Sequence, residues 1–300
     1  MVEMKASVIT DEFSLEFDEV CEYLQGQDME YIELRKVWIG NIVQIDDRTL
    51  GDAKDIINDA GLKVSCIAGP LLKCLPPSVN PNPKSKVDYS ENWKYNYSLL
   101  DRAIEVADLF DTTYIRCFGY NGKWPKKEVS EWDEWEIYQD WSEILKKMKE
   151  KLISANKMFV CENEGGLNRS LENMEKIGQD QVDEGFGLLY DMANVANKFG
   201  EEGILTDEWL DRLGKYIQYI HAKGTKPKLK GYATTYVNDE KDICRWPEVL
   251  DYFSQRSAED FIAPAPNPLF LSIETHMGKK NIWEKSEQSL KNLRALLETY

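Results

Sequence analysis

The sequence predicts an α/β fold, a closed (β/α)8 barrel, and three observations carry that expectation. Short apolar, β-branched runs recur eight times, at residues 6–10, 31–34, 64–68, 114–118, 158–161, 187–190, 217–220 and 269–273. Most are near-continuous rather than alternating, as expected for parallel strands buried on both faces. Helical patterns lie between them, and strand–helix repetition over eight cycles closes a TIM barrel. An open doubly wound sheet is the competing arrangement, but no Gly-x-Gly-x-x-Gly turn follows the first run. No interdomain linker breaks the pattern, so residues 1–300 read as a single domain.

The helices show apolar residues at three- and four-residue spacing over 17–24, 99–109, 141–153, 246–253 and 290–297. Ser14 or Asp18 is expected to start the first, Thr206 one ahead of Asp207 and Glu208, and Ser286 the last. Three stretches are long for barrel connections. Residues 70–93 follow the third strand and are rich in proline, serine, asparagine and lysine. Residues 119–141 follow the fourth and are rich in tryptophan. Residues 225–242 follow the seventh and hold Lys226, Lys228, Lys230, Tyr232 and Tyr236. Loops of this length are either functional or mobile surface. All three leave the carboxyl ends of strands, where barrel enzymes keep their sites, so together they could roof a pocket.

Composition narrows the function. A hydrophobic content of 42% suits a large globular core. The formal net charge of −16 disfavours nucleic acid, whose binding requires neutralised phosphates, and anionic membrane surfaces. No apolar run approaches the roughly 20 residues of a membrane span, and the N-terminus shows no secretory signal. The six cysteines are widely spaced, without a metal-knuckle or redox pair, and read as free thiols of a cytoplasmic protein.

The chemistry is expected at four strand ends. Glu162, Asp191, His221 and Glu274 each follow an apolar run, at separations of 29, 30 and 53 residues. One strand-plus-helix unit takes about thirty residues, so the first three belong to successive strands. Strands five to eight form one arc of a closed barrel, and residues at equal depth on it can converge in the mouth. Three carboxylates and one imidazole suit one divalent ion such as Mn²⁺, Mg²⁺, Co²⁺ or Zn²⁺. Each residue also has a bland reading: Asp191, which precedes Met192, Ala193 and Asn194, could simply cap a helix.

The chain resembles the sugar phosphate isomerase/epimerase family, the xylose-isomerase-like barrels. Matching pieces are Val-Cys-Glu-Asn-Glu-Gly-Gly (160–166), Leu-Leu-Tyr-Asp-Met-Ala-Asn (188–194), His-Ala-Lys-Gly (221–224) and Ile-Glu (273–274). Tyr-Ile-Glu-Leu-Arg (31–35), Tyr-Ile-Arg-Cys-Phe-Gly (114–119) and Asp-Ile-Cys-Arg-Trp-Pro-Glu-Val-Leu (242–250) are also family-like. The resemblance covers nearly the whole chain and implies metal ligands at Glu162, Asp191, His221 and Glu274, in agreement with the spacing. It is weak for substrate, since the family includes isomerases, epimerases, dehydratases and a DNA-repair endonuclease branch. Where many members carry a substrate-contacting histidine three residues after the strand-six aspartate, this chain has Asn194. Where the epimerase branch has an arginine after the strand-seven histidine, it has Lys226, Pro227 and Lys228. With only two histidines it cannot furnish the endonuclease ligand set.

The resulting expectation is a divalent-metal-dependent isomerase or epimerase acting on a small sugar or sugar phosphate. Both reactions remove a proton next to a carbonyl, so Glu162 and Glu274 are expected to be the acid/base pair as well as ligands. Asp191 and His221 would be fixed ligands, with the second His221 ring nitrogen donating to an acceptor. Lys223, Asn194, Arg116, Glu164 and His276 are expected to contact substrate, and Glu33 to line the pocket. Arg116, in an apolar run, must pair with an acid such as Glu33 or turn to the mouth. Trp38, Trp124, Trp135 and Phe118 could form an apolar wall. The alternatives are a metal-dependent lyase, dehydratase or phosphoester hydrolase on the same barrel, or a non-catalytic sugar-binding barrel. A homo-oligomer is left open.

Overall fold

The computed structural model describes residues 1–74, 92–120, 134–164, 166–168, 170–277 and 280–300. Its centre is an eight-stranded parallel sheet. The strands are β1 (Met4–Val8), β2 (Tyr31–Leu34), β3 (Lys63–Leu71), β4 (Tyr114–Phe118), β5 (Met158–Glu162), β6 (Phe186–Asp191), β7 (Ile217–Ala222) and β8 (Leu269–Ile273). Each overlaps one expected apolar run. The order β1-β8-β7-β6-β5-β4-β3-β2 follows the chain around a ring. The last seam, between β1 and β2, is held by a parallel bridge from Ile9 to Glu33, so the barrel is nearly closed.

Alternation along each strand divides its side chains between two environments. Ile115, Cys117, Phe159, Cys161, Leu188, Tyr190, Ile220, Ala222, Leu271 and Ile273 point outward into the main core beneath the helices. Tyr114, Met158, Val160, Leu189, Tyr219 and Phe270 point inward and pack with Cys66 as a second, smaller cluster. Emptying one outward leucine to alanine would cost roughly 2–5 kcal/mol. The inward period that begins with Tyr114, Met158, Leu189, Tyr219 and Phe270 continues to Arg116, Glu162, Asp191, His221 and Glu274. The sheet's period of two thus places the charged residues on the barrel axis.

The helices are α1 (Phe17–Gly26), α2 (Asp47–Asp59), α3 (Asn92–Leu109), α4 (Glu134–Ser154), α5 (Leu171–Gln181), α6 (Asn194–Phe199), α7 (Asp207–Leu213), α8 (Trp246–Ser254) and α9 (Ile282–Leu297). Thr206 caps α7 as expected, accepting from the Trp209 amide. Two expected starts are corrected. The first turn of α1 follows Glu16, and Ser14 Oγ accepts from the Glu16 amide at 3.1 Å. Ser286 lies inside α9, where its hydroxyl donates to the Glu12 carbonyl at 2.6 Å instead of capping. Helices α2 and α5 are additions, capped by Asp46 and Ser170.

Of the three long stretches, 225–242 lies wholly among the described residues. Gly224–Pro227 and Tyr232–Thr235 form an antiparallel hairpin. Asp242 pins its base, accepting from the Thr225, Asn238 and Cys244 amides at 2.8, 2.9 and 3.0 Å and from the Trp246 indole at 3.1 Å. Most of 70–93 and 119–141, including Trp124, lies outside the described residues. All six cysteines are buried and unbridged. Among the described residues no helix is long and apolar enough to cross a membrane.

Candidate metal centre at the barrel mouth

Glu162 closes β5, Asp191 closes β6, His221 is the penultimate residue of β7, and Glu274 lies one residue beyond β8. Asp191 stands in register with His221, which on its other side pairs with Ser272, two residues before Glu274. One ligand atom from each of the four residues lies within 4.8 Å of the others, and all four side chains are buried.

The hydrogen bonds around the four leave one atom each of His221 and Asp191 without a hydrogen-bond partner. His221 Nε2 lies 3.1 Å from Glu33 Oε1. A carboxylate can only accept, so Nε2 carries the proton there. His221 Nδ1 then faces Glu274 Oε2 at 3.2 Å and Glu162 Oε1 at 3.7 Å, with no hydrogen-bond partner. Asp191 Oδ1 accepts from the Ala193 and Asn194 amides at 2.8 and 3.0 Å, so the aspartate does cap the turn into α6. Its Oδ2 has no directed hydrogen bond and sits 2.6 Å from Lys223 Nζ, an ion pair without hydrogen-bond geometry. Capping therefore occupies one oxygen of the residue and leaves the other without a hydrogen bond. Asn163 locks the same corner, donating to the Asp191 carbonyl at 3.1 Å and accepting from the Asp191 amide at 2.7 Å.

Both oxygens of each glutamate are held, by three cations and the Asn194 amide. Arg116 Nη1 donates to Glu162 Oε2 at 3.0 Å, and Asn194 Nδ2 donates to Glu162 Oε1 at 3.1 Å. Arg35 Nη1 donates to Glu274 Oε1 at 2.6 Å, and Lys223 Nζ donates to Glu274 Oε2 at 2.9 Å. Burial and the Glu274 charge push the Glu162 carboxyl up, but Arg116 and His221 outweigh them and hold it down at about 2. Burial likewise opposes ionisation of Glu274, yet Lys223 and His221 hold it well below the usual carboxylate range. Asp191 takes the remaining penalty: burial, aided by Glu274 and Glu162 against Lys223, pushes it up to about 7. Burial lowers the His221 imidazole, but Glu33, Glu274 and Glu162 raise it well above its ordinary value.

Charge and donor chemistry fit a divalent ion. Asp11, Glu12, Glu33, Glu162, Asp191 and Glu274 gather around three permanent cations, Arg35, Arg116 and Lys223. The inward donors are carboxylate oxygens and one imidazole nitrogen with no thiolate, and His221 Nδ1 and Asp191 Oδ2 are buried without hydrogen bonds. An ion held by Glu162, Asp191, His221 and Glu274 would satisfy both.

The remaining expected residues divide. Lys223, Arg116, Asn194 and His276 all border the four. Arg116 is buried against Glu162, and its Nη2 donates to the Ala68 carbonyl at 3.1 Å. His276 is half-exposed at the rim, its Nδ1 3.0 Å from Lys223 Nζ. Glu164 stands apart, paired with Lys73 at 2.5 Å. Trp38 packs on Phe17 at a ring separation of 5.6 Å, and Trp135 stacks on Tyr138 at 5.7 Å.

The structure adds two residues, Arg35 and Glu12. Arg35 reaches Asp11 at 3.0 Å, Glu12 at 2.5 Å and Glu274 at 2.6 Å. Glu12 Oε2 accepts from the Thr275 amide, the Thr275 hydroxyl and the His276 amide at 3.1, 2.9 and 2.9 Å. That grip holds His276 in the left-handed region at φ 47°. Only Arg35 had a sequence signal, as the last residue of Tyr-Ile-Glu-Leu-Arg. Glu12, Glu274 and His276 form a second group of potential ligands, but the Arg35 guanidinium already bonds all three. A concavity of about 750 Å³ lined by Tyr31, Lys63, Tyr114 and Phe270 opens at the amino-terminal floor, away from this chemistry.

A parallel eight-stranded barrel with carboxylates and a histidine converging at its carboxyl-end mouth defines a class of α/β barrel proteins. The chain belongs to the xylose isomerase-like TIM barrel family, whose pattern matches residues 23–265. Among solved structures it is similar to a D-tagatose 3-epimerase-like protein, with 17% identity, coverage of 99% of this chain and 98% of that chain, and a TM-score of 0.71. It is also similar to a xylose isomerase-like TIM barrel protein from Mycobacterium smegmatis in complex with magnesium (14% identity, 100% and 97% coverage, TM-score 0.69). The probable 3-DHS dehydratase AsbF of Bacillus anthracis is a third (15%, 97% and 99%, 0.67). At these identities the likeness establishes the fold. No curated protein matches the sequence.

Proposed function

We propose that this chain is a divalent-metal-dependent isomerase or epimerase of a small sugar or sugar phosphate. The observation that carries the reading is the convergence of Glu162, Asp191, His221 and Glu274, with His221 Nδ1 and Asp191 Oδ2 lacking hydrogen bonds. A divalent ion such as Mn²⁺, Mg²⁺, Co²⁺ or Zn²⁺ bound there supplies Lewis-acid stabilisation of negative charge on a carbonyl oxygen and its neighbouring hydroxyl.

The chain's own residues supply the rest. Isomerisation and epimerisation both remove a proton from carbon beside a carbonyl, and a carboxylate must be ionised to accept it. Arg116 and Lys223 keep Glu162 and Glu274 in that state. The two glutamates come from the ends of the β5–β8 arc, so they flank a substrate lying across it; one takes the proton and the other returns it. Asp191 and His221 hold position, the first through its backbone-bound Oδ1 and the second through Glu33. Lys223 and His276 meet substrate hydroxyls at the rim, and Asn194 and Arg116 orient Glu162. Because Arg35 fills the second ligand group, a single ion is expected, which favours proton transfer over multi-metal phosphoester hydrolysis.

The test is metal analysis of the purified protein, then solvent deuterium wash-in to a panel of ketoses by wild type, Glu162→Gln and Glu274→Gln. One ion per chain and exchange reduced at least ~100-fold in both variants are expected. Turnover that survives in both removes the acid/base assignment.

A further inference from the structure

Beneath the metal centre a column of polar side chains runs beside the apolar cluster of the barrel interior. His221 Nε2 and Tyr219 Oη both reach Glu33, at 3.1 Å on Oε1 and 3.0 Å on Oε2. Tyr219 Oη is in turn 2.8 Å from Ser65 Oγ, and Ser65 Oγ lies 2.7 Å from Ser7 Oγ and 3.0 Å from the Ile32 carbonyl. All five side chains are 0–1% exposed. Each of these polar groups lies within hydrogen-bond distance of another member, and each hydroxyl has a single proton to give.

The proton count fixes the direction of the chain. Glu33, as a carboxylate, only accepts, so the single Tyr219 proton goes to Oε2. Tyr219 can then only accept from Ser65, whose single proton is shared between Tyr219 Oη and the Ile32 carbonyl, and Ser65 accepts from Ser7. The column is polarised Ser7 to Ser65 to Tyr219 to Glu33, with His221 donating to Glu33 from the other side. Both Glu33 oxygens are thereby committed, and the neutral imidazole is obliged to keep its proton on Nε2 and to present its lone pair on Nδ1.

We propose that Tyr219 is a positioning residue for the metal centre: its hydroxyl pins Glu33, and through Glu33 it sets the orientation and tautomer of His221. The proposal rests on the metal-centre reading above. Without that hydroxyl Glu33 Oε2 is buried with no donor, its carboxylate is free to rotate, and His221 loses the partner that presents Nδ1 to the ion. Outer partners of metal-bound histidines typically contribute 10–100-fold to metal affinity. Tyr219 stands one bond further out, so an effect of about 10-fold, the lower end of that range, is expected.

Tyrosine-to-phenylalanine substitution tests this cleanly, because the ring keeps its contacts with Tyr114 and Phe270, each at 5.8 Å between centroids. Mn²⁺ is titrated into wild type, Tyr219→Phe and the floor control Tyr114→Phe by electron paramagnetic resonance, and the visible spectrum of the Co²⁺-loaded proteins is compared. Tyr219→Phe should weaken the Mn²⁺ Kd about 10-fold and alter the Co²⁺ bands, with Tyr114→Phe like wild type in both. A purely packing role would lower the melting temperature without moving Kd or the spectrum. Wild-type Kd and spectrum in Tyr219→Phe overturn the role of Tyr219 alone; failure of wild type to bind Mn²⁺ overturns the metal centre with it. If Tyr219→Phe does not fold, Ser65→Ala decides, since loss of the donor to Tyr219 should weaken Mn²⁺ in the same direction and an unchanged Kd refutes the column.

Discussion

Lys223→Met probes the electrostatics of the mouth most directly. The Lys223 side chain is 2% exposed, and its ammonium lies 2.6 Å from Asp191 Oδ2 and 2.9 Å from Glu274 Oε2. In the metal-free protein it is the cation shared by two of the candidate ligands. Methionine fills similar space without charge and adapts its shape. Removing one partner of a buried ion pair costs about 3–5 kcal/mol, because the other charge is left uncompensated. A divalent ion should restore most of that loss, since it neutralises the same oxygens and no longer competes with the ammonium. An ion at 100 times its Kd stabilises by about 2.7 kcal/mol, and each 10-fold gain in affinity adds about 1.4. Urea unfolding with and without Mg²⁺ or Mn²⁺ measures both terms. The variant should be weaker by about 3–5 kcal/mol without ion, gain more than wild type from the ion, and bind it at least ~10-fold tighter. A loss under about 1 kcal/mol, or equal ion stabilisation of both proteins, would refute the reasoning.

Protons and the ion should compete for the ligands. Burial, with Glu274 and Glu162 adding to it, raises Asp191 to about 7 from its ordinary 3.8, so between those values the metal-free native state holds a proton that the unfolded chain has lost. Stability of the metal-free protein should therefore fall as pH rises through about 7, and the raised His221 extends the fall upward. Ion affinity should rise over the same window with protons released, measurable by calorimetry in buffers of different ionisation enthalpy; a flat affinity contradicts the assignment. Glu162, held down to about 2, works in the other direction, and its share of stability should be lost only as pH falls from about 4.5 toward 2. Glu12→Ala strips one carboxylate oxygen from three donors at 2.9–3.1 Å and should cost roughly 3 kcal/mol in urea unfolding. It should also weaken substrate binding by freeing His276. A Cβ on Gly224 would stand 2.2 Å from the Tyr236 carbonyl, so Gly224→Ala should displace the hairpin that follows Lys223 and lower thermal stability, whereas Gly26→Ala meets nothing and should be neutral.

Much of this could be read from local pattern. Near-continuous apolar runs marked all eight strands, because strands buried on both faces have no polar side to interrupt them. The four strand-end residues were visible for the same reason: a polar side chain that ends such a run stands at the mouth. Helix starts were less legible. The pattern placed a cap at Ser286, four residues into α9, because its hydroxyl serves a distant carbonyl, that of Glu12, rather than a helix amide. Helices α2 and α5 carry cap residues at Asp46 and Ser170, but polar sequences obscure their apolar stripes.

By itself the sequence determined the strands, their period of two, and therefore which residues point into the barrel. Tertiary structure alone decided how those residues pair. Arg35 and Glu274 lie 239 positions apart, and Glu12 and Thr275 lie 263 apart; they meet because β1, β2 and β8 close the ring. The proton column from Ser7 to Glu33 likewise joins strands that no sequence window spans. Alternation is a property of one strand, but convergence is a property of closure, and partners across a closed barrel are chosen by geometry rather than by neighbours in the chain.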